Sequence, residues 1–216
     1  MEKARSLLDV VRGIVGKDSL MVFGPTGSGK TTFCLALAHE AAKREEKVVY
    51  LDTEANLAKP IEGVSYRFTP SLRELENHVY NLPSDARLVI IDSLGTPIIA
   101  AYADAGMHEK GSMLLKAASI SSALKLWCLR SGGLAVVTNQ PTSSFGKSNV
   151  KPEDLPPRLG SSHYYYKEIW RTDVVEVTPT RTVCSVKAWR SRNHPRGKLL
   201  FQISISSNGV EVKSTL

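Results

Sequence analysis

The residues with the most specific chemistry form the run Gly24-Pro25-Thr26-Gly27-Ser28-Gly29-Lys30-Thr31. The run matches Gly-x-x-x-x-Gly-Lys-Thr, in which glycines let successive backbone N–H groups turn inward around a phosphate. A helix that starts directly after the run adds the positive end of its dipole, the lysine reaches the β- and γ-phosphates, and the first threonine holds Mg²⁺. The run therefore predicts a phosphate-binding loop (P-loop) for ATP, with Thr32 as a further contact.

Two acidic residues that follow apolar strands could complete a hydrolytic site. Asp92 closes the apolar run 88–91, and an acid in that place usually orders Mg²⁺ through its water shell. Asp52 closes the run 48–51 in the same way and is the alternative. Glu54 comes two residues later, where a carboxylate can orient and polarise water for attack on the γ-phosphate. The other interpretation of Glu54 is an exposed loop acid, and the residues alone leave both open.

A third strand end carries an amide. Gln140 closes the run Thr138-Asn139-Gln140, where its side chain could respond to the γ-phosphate and pass the state of the nucleotide to the following loop. A surface amide in a turn is the commoner explanation of such a residue.

Hydrophobic periodicity indicates the elements that position these residues. A short amphipathic helix over 5–15 is expected to brace the core, and a helix over 30–44 follows the P-loop. Near-continuous apolar strands that alternate with helices are typical of a parallel sheet covered on both faces. The predicted strands lie at 20–23, 47–51, 64–68, 88–92 and 134–138, with further helices starting at Ser71 and spanning 109–130.

The pattern of predicted elements changes after about residue 170. Short alternating strands joined by tight turns replace the helices, so the sheet is expected to finish antiparallel. These strands are predicted at 174–177, 182–189, 199–204 and 210–213. The fold class is therefore α/β, a mostly parallel twisted sheet flanked by helices with C-terminal antiparallel strands.

Composition limits the class of protein. With 216 residues, 42% of them hydrophobic and 23% charged, the sequence fits one globular domain spanning 1–216 and excludes disordered or fibrous proteins. The net charge of +7 favours a polyanionic partner such as nucleic acid. The three cysteines and five histidines show no metal-ligand spacing. No window has a signal-peptide core or the length of a membrane helix, which predicts a soluble, cytoplasmic protein.

Taken together and in order, the motifs resemble the ATPase core of the RecA/RadA recombinases. The resemblance covers roughly residues 5–215 and includes 24–31, 50–54, 88–93, 138–140, 159–163, 201–203 and 208–210. It implies a RecA-like P-loop NTPase fold. It also implies that Lys30 and Thr31 bind the triphosphate and Mg²⁺, that Glu54 is the base for water and Asp92 the Mg²⁺-ordering acid, and that Gln140 senses the nucleotide.

The resemblance further implies two loops that face DNA. The first runs from about 95 to 112, and the second is the long Pro/Ser/Gly-rich segment 141–162. Single-stranded DNA is thus the expected partner, and a mobile, solvated basic loop is the other interpretation. Basic residues after the second segment leave three possibilities open, namely DNA contact, a solvated surface, or an arginine finger for a neighbouring subunit. The residues assigned to DNA are Lys147, Lys151, Arg158, Arg190 and Arg192.

The sequence also departs from the recombinase pattern. Recombinases of the RadA type carry an N-terminal helical DNA-binding domain and a Phe-x-x-Ala polymerisation motif, whereas about twenty residues precede the P-loop strand here and contain neither. The expectation is a single-domain archaeal RadA paralogue that modulates homologous recombination and DNA repair, with the main recombinase as a possible partner and the oligomeric state open. The alternatives are a KaiC-like signalling ATPase and a P-loop phosphotransferase, both acting without DNA.

An aromatic cluster, Tyr164-Tyr165-Tyr166 with Trp170, has two interpretations. The residues could form a platform on which bases stack, or they could begin a helix that packs on the sheet and belong to the core. Large aromatic side chains in such a place are more often core.

Overall fold

The computed structural model describes residues 6–57, 60–106, 109–142, 151, 154–207 and 209–214. Within these ranges the chain forms five α-helices, a 3₁₀-helix and nine strands that join into one sheet. The helices are α1 Leu7–Val15, α2 Lys30–Lys43, α3 Leu72–Tyr80, α4 Gly95–Asp104 and α5 Lys110–Ser131, and the 3₁₀-helix is Gly160–Tyr165. The strands are β1 Ser19–Phe23, β2 Val48–Asp52, β3 Val64–Phe68, β4 Leu88–Asp92, β5 Leu134–Asn139, β6 Glu168–Thr178, β7 Arg181–Arg190, β8 Leu199–Ser206 and β9 Gly209–Ser214.

The sheet has the strand order β3-β2-β4-β5-β1-β6-β7-β8-β9. Strands from β3 to β6 run parallel, and β7, β8 and β9 pair antiparallel, which confirms the predicted fold class. The register places Asp52 opposite Asp92 and Phe23 opposite Asn139. The carboxyl ends of β1, β2, β4 and β5 therefore meet at one edge, where ligands of open α/β sheets bind.

Helices cover both faces of the sheet and bury an apolar layer on each. One face packs against α1 and α2, and the other against α3, α4 and α5. Helix α1 is the predicted brace, because its buried side chains join the layer that contains α2. A carboxylate on α2 also caps α1, since Glu40 accepts the backbone N–H groups of Leu7 at 3.2 Å and Leu8 at 2.8 Å.

Two expectations about secondary structure were wrong. The segment 95–112 was expected to be a loop, yet α4 occupies most of it. Pro97 lies in the first turn of α4, where its missing N–H costs nothing, and Ile98 is buried against the sheet. The second error concerns Trp170, which lies on strand β6 rather than on a helix. Strand β6 pairs with both β1 and β7, and the hydrogen bonds of these two pairings outweigh the local preference for a helix.

The interpretation of the aromatic cluster as core holds for two of its members. Tyr166 and Trp170 are fully buried, and Trp170 packs edge-on against Phe201 with ring centroids 5.7 Å apart. Tyr164 is instead 83% exposed. Within the described ranges, no helix has both the length and the apolar character that crossing a bilayer requires.

Candidate active site

The P-loop connects β1 to α2 and lies against strand β6. Gly27 and Gly29 have φ values of 77° and 83°, a region that favours glycine. Gly24 touches β6 so closely that a Cβ atom there would lie 2.3 Å from the carbonyl oxygen of Thr172. The hydroxyls of Ser28 and Thr172 are 2.8 Å apart and hydrogen-bonded. The conformation of the loop therefore depends on its own glycines and on its close contact with β6.

Lys30 begins α2, and its ammonium group turns back towards the loop. Its Nζ donates to the carbonyl oxygens of Gly24 at 2.9 Å and Pro25 at 2.8 Å. Burial lowers the pKa of Lys30, while the negative charges of Asp92 and Glu54 act in the opposite direction. The ammonium group of Lys30 thus lies inside the loop, and the carboxylates of Asp92 and Glu54 act on it electrostatically.

Asp92 is buried at the end of β4, close to three hydroxyl groups. Those of Thr138 and of Tyr50, the latter at 3.0 Å, donate hydrogen bonds to its carboxylate, and the third belongs to Thr31 of the P-loop. Burial raises the pKa of Asp92 above its ordinary value, and the three hydroxyls counteract that rise only in part. Thr31 and Asp92 together present hydroxyl and carboxylate oxygens, which are the donors that Mg²⁺ prefers. The pair suits a hydrated Mg²⁺ ion.

Asp52, the alternative acid, has a different environment. Its carboxylate accepts the N–H groups of Glu54 at 3.0 Å and Leu57 at 3.2 Å, and the hydroxyl of Tyr66 at 3.0 Å. These bonds tie down the loop that follows β2. Asp52 therefore organises the loop that carries Glu54, whereas Asp92 is the acid beside the P-loop threonine.

Glu54 lies at the carboxyl end of β2, beside the end of β4. Its Oε1 accepts the hydroxyls of Ser93 at 2.6 Å and Thr96 at 2.5 Å, and its Oε2 accepts the amide of Asn56 at 3.3 Å. Burial raises the pKa of Glu54, but these hydrogen bonds and the charge of Lys30 outweigh it, so the pKa is lowered. Glu54 is thus an ionised carboxylate whose position is fixed by hydrogen bonds. Sequence reasoning missed Ser93 and Thr96, although Ser93 directly follows Asp92.

Strand β5 ends at Asn139, next to Gln140. The buried Asn139 accepts the N–H of Gln140 at 2.8 Å and donates its amide to the carbonyl oxygen of Arg158 at 2.9 Å. The N–H of Arg158 in turn donates to the carbonyl oxygen of Gln140 at 2.8 Å. These bonds join the strand end to the end of the segment 141–162. Asn139 is a connecting residue that sequence reasoning did not single out.

No protein-family model matches the chain. The chain is 27% identical, over 207 residues, to the DNA repair and recombination protein RadB of Methanococcoides burtonii, an alignment covering 88% of this chain and 86% of the relative. It is 29% identical over 177 residues to the RadB of Methanobrevibacter smithii, covering 72% and 70% of the two. RadB proteins are archaeal paralogues within the RecA/RadA family. The chain is thus similar, over most of its length, to proteins named RadB.

A solved structure is similar to this chain in its fold. It is described as the crystal structure of the RadB recombinase, with a TM-score of 0.68 and 21% identity over 94% of this chain and 95% of that one. RecA/RadA family members are ATPases and bind nucleotides. In this chain, a cleft of about 250 Å³ beside the P-loop is lined by Gly27, Gly29, Lys30, Thr31, Thr32, Thr182 and Ile205.

The basic residues assigned to DNA lie in different surroundings in this structure. Lys147 lies outside the described residues, and Lys151 is exposed. Arg158 donates its Nε to the carbonyl oxygen of Pro141 at 3.0 Å, at the base of the second segment. Arg190 donates to the carbonyl oxygens of His163 and Tyr166. Arg158 therefore holds the base of the second segment, and Arg190 holds the chain that directly follows it.

Two further basic residues near β7, Arg192 and Arg196, also have partners. Arg192 pairs with the buried Asp18 at 2.7 Å. Arg196 stacks on Trp189, with its guanidinium 3.7 Å from the ring centroid, and lies 3.7 Å from Asp154. These contacts join the turn after β7 to the second segment. Arg192 and Arg196 keep exposed surface, whereas Arg190 is half-buried.

Proposed function

We propose that this chain is an ATP-hydrolysing, DNA-binding recombinase paralogue of the RecA/RadA family that acts in homologous recombination and DNA repair. The observation that carries the proposal is the arrangement of Glu54 and Asp92. They lie at the carboxyl ends of the neighbouring strands β2 and β4, and Asp92 interacts with Thr31 of the P-loop. A loop that only bound nucleotide would have no use for a second, ionised carboxylate held by hydroxyls.

The residues have complementary roles in this proposal. The backbone N–H groups of the P-loop and Lys30 bind the β- and γ-phosphates, and Thr31 and Asp92 hold a hydrated Mg²⁺ ion. The Mg²⁺ ion would neutralise charge that develops on the phosphates. Glu54, with its lowered pKa, is ionised at neutral pH and orients the attacking water. Gln140 responds to the γ-phosphate.

Single-stranded DNA is the proposed partner, and the main recombinase is a possible second one. The relatives are named DNA repair and recombination proteins, and the net charge of +7 suits a polyanion. Lys147, Lys151 and Arg158 belong to the second segment, whose end is bonded to Gln140. We propose that this bond lets the state of the nucleotide alter how the segment contacts DNA.

The test measures ATP turnover with and without single-stranded DNA. Lys30→Ala should weaken ATP binding, and Glu54→Gln should bind ATP while turning it over at least about 10²-fold more slowly, the usual contribution of a general base. Glu211→Gln and Lys213→Ala on the exposed face of β9 are matched controls. DNA binding should weaken steeply as salt rises. Normal turnover by Glu54→Gln refutes the role of Glu54 in hydrolysis. A lack of DNA binding at low salt refutes the proposed binding of single-stranded DNA.

A further inference from the structure

Glu54 is held by one of its two carboxylate oxygens. Oε1 accepts both short hydroxyl bonds, from Ser93 at 2.6 Å and from Thr96 at 2.5 Å. Oε2 has one long contact, from the amide of Asn56 at 3.3 Å. Oε1 is therefore fixed by two hydrogen bonds, whereas Oε2 is available to accept a proton.

The two donors are themselves fixed by different elements. The backbone N–H of Ser93 donates to the hydroxyl of Thr53 at 2.8 Å, and that hydroxyl donates to the carbonyl oxygen of Ser93 at 2.8 Å. Thr96 lies in the first turn of α4. The start of α4 is bonded to β5, because the N–H of Leu94 donates to the carbonyl oxygen of Thr138 at 3.0 Å. Through these two donors, the position of Glu54 is fixed relative to both β4 and β5.

The hydroxyl oxygens of Ser93 and Thr96 are also 3.0 Å apart, so the two donors lie in contact with one another. Hydroxyl hydrogen bonds to a carboxylate are charge-assisted and hold its orientation more firmly than bonds between neutral groups. A general base must be oriented within hydrogen-bond reach of the water it activates. Two short bonds on one oxygen restrict rotation of the carboxylate about its last side-chain bond.

We infer that Ser93 and Thr96 are positioning residues that hold Glu54 by Oε1 so that Oε2 accepts the proton of the attacking water. In this step the water oxygen bonds to the γ-phosphorus, the bond from that phosphorus to the β–γ bridging oxygen breaks, and ADP leaves with the electron pair. The water proton passes to Oε2. The inference rests on the proposed hydrolysis of ATP.

The first experiment measures the contact without using turnover. Urea unfolding of wild type, Thr96→Val, Glu54→Ala and the double variant forms a double-mutant cycle. If Thr96 bonds to Glu54, the two changes together cost less stability than the sum of the single changes. Thr178→Val, which loses a hydroxyl bond to the carbonyl oxygen of Arg181, is the control and should be additive with Glu54→Ala. Additivity of Thr96→Val and Glu54→Ala overturns the inference.

The second experiment measures ATP turnover by Ser93→Ala, Thr96→Val and Thr96→Ser. Loss of one charge-assisted hydrogen bond should lower kcat about tenfold with KM within about twofold, and Thr96→Ser should recover most of the loss. Unchanged kcat in Ser93→Ala and Thr96→Val overturns the inference. If wild type hydrolyses no ATP, the proposed function fails first and the catalytic role falls with it, whereas the unfolding cycle still reports the contact.

Discussion

Replacing Gly24 by alanine should distort the P-loop, because the site leaves no room for a methyl group. The added Cβ would lie 2.3 Å from the carbonyl oxygen of Thr172, 2.5 Å from its hydroxyl and 2.6 Å from the hydroxyl of Ser28. Carbon and oxygen atoms in contact are normally separated by about 3.3 Å or more. The backbone of either the loop or β6 must therefore move by roughly 1 Å.

The size of the effect depends on how easily β6 can yield. Thr172 pairs with Val186 of β7, and its neighbour Arg171 pairs with Phe23 of β1, so β6 is fixed from both sides. Overpacking in such places costs typically about 1–3 kcal/mol, and we expect the upper end because the obstacle is paired backbone. The strain falls on the loop itself, so nucleotide affinity should drop together with stability.

Urea unfolding and binding of a fluorescent ATP analogue measure the two effects. Gly13→Ala is the matched control, because Gly13 lies inside α1 with no atom within 4 Å of the added Cβ. It should stabilise the protein by about 0.5–1 kcal/mol through helix propensity. Adding Thr172→Ala to Gly24→Ala removes the clashing hydroxyl but not the carbonyl, so it should not restore stability. Wild-type stability and affinity in Gly24→Ala would refute this account of the loop.

Three further predictions concern charged groups. Asp92→Asn should bind ATP in EDTA but lose the additional rise in Tm that Mg²⁺ gives wild type; an equal rise would exclude Asp92 from ordering the ion. Burial raises the pKa of Asp18, but bonds from Lys125 and the backbone of Ser19 outweigh it and lower the pKa. Asp18 therefore contributes stability above its unfolded pKa, and this is lost as the pH falls below about 4. Urea unfolding of Asp18→Asn should depend less on pH there, and an unchanged dependence contradicts the assignment. Arg190→Met should destabilise the fold by about 2 kcal/mol through two lost carbonyl bonds, with DNA affinity changing less than in Lys151→Met; the reverse order would make Arg190 a DNA contact.

The sequence predicted the elements whose pattern is local. Apolar runs marked the buried parallel strands, and Ser71 marks a helix start that the structure has. The P-loop was predictable because its chemistry is encoded in eight consecutive residues. The sequence also favoured Asp92 over Asp52 as the Mg²⁺-ordering acid, because Thr53 and Glu54 follow Asp52, and that role stays a prediction.

Contacts between distant segments could not be predicted in the same way. Ser93 and Thr96 meet Glu54 only because β2 and β4 pair in one particular register, and no local pattern encodes that register. Arg190 was assigned to DNA from its charge, yet its hydrogen bonds go to backbone carbonyls of a segment about 25 positions earlier. Charge alone does not reveal such a structural use.

The position of β1 has a consequence for how this protein is made. The strand that carries the P-loop lies between β5 and β6, so its second neighbour is Glu168–Thr178, nearly 150 residues further along the chain. A ribosome has therefore synthesised most of the polypeptide before that edge of β1 can be covered. Pairings of such long sequence separation form slowly, because loop closure must come first. The nucleotide loop should thus be among the last parts to reach its native shape, and ATP would favour the finished fold over its precursors.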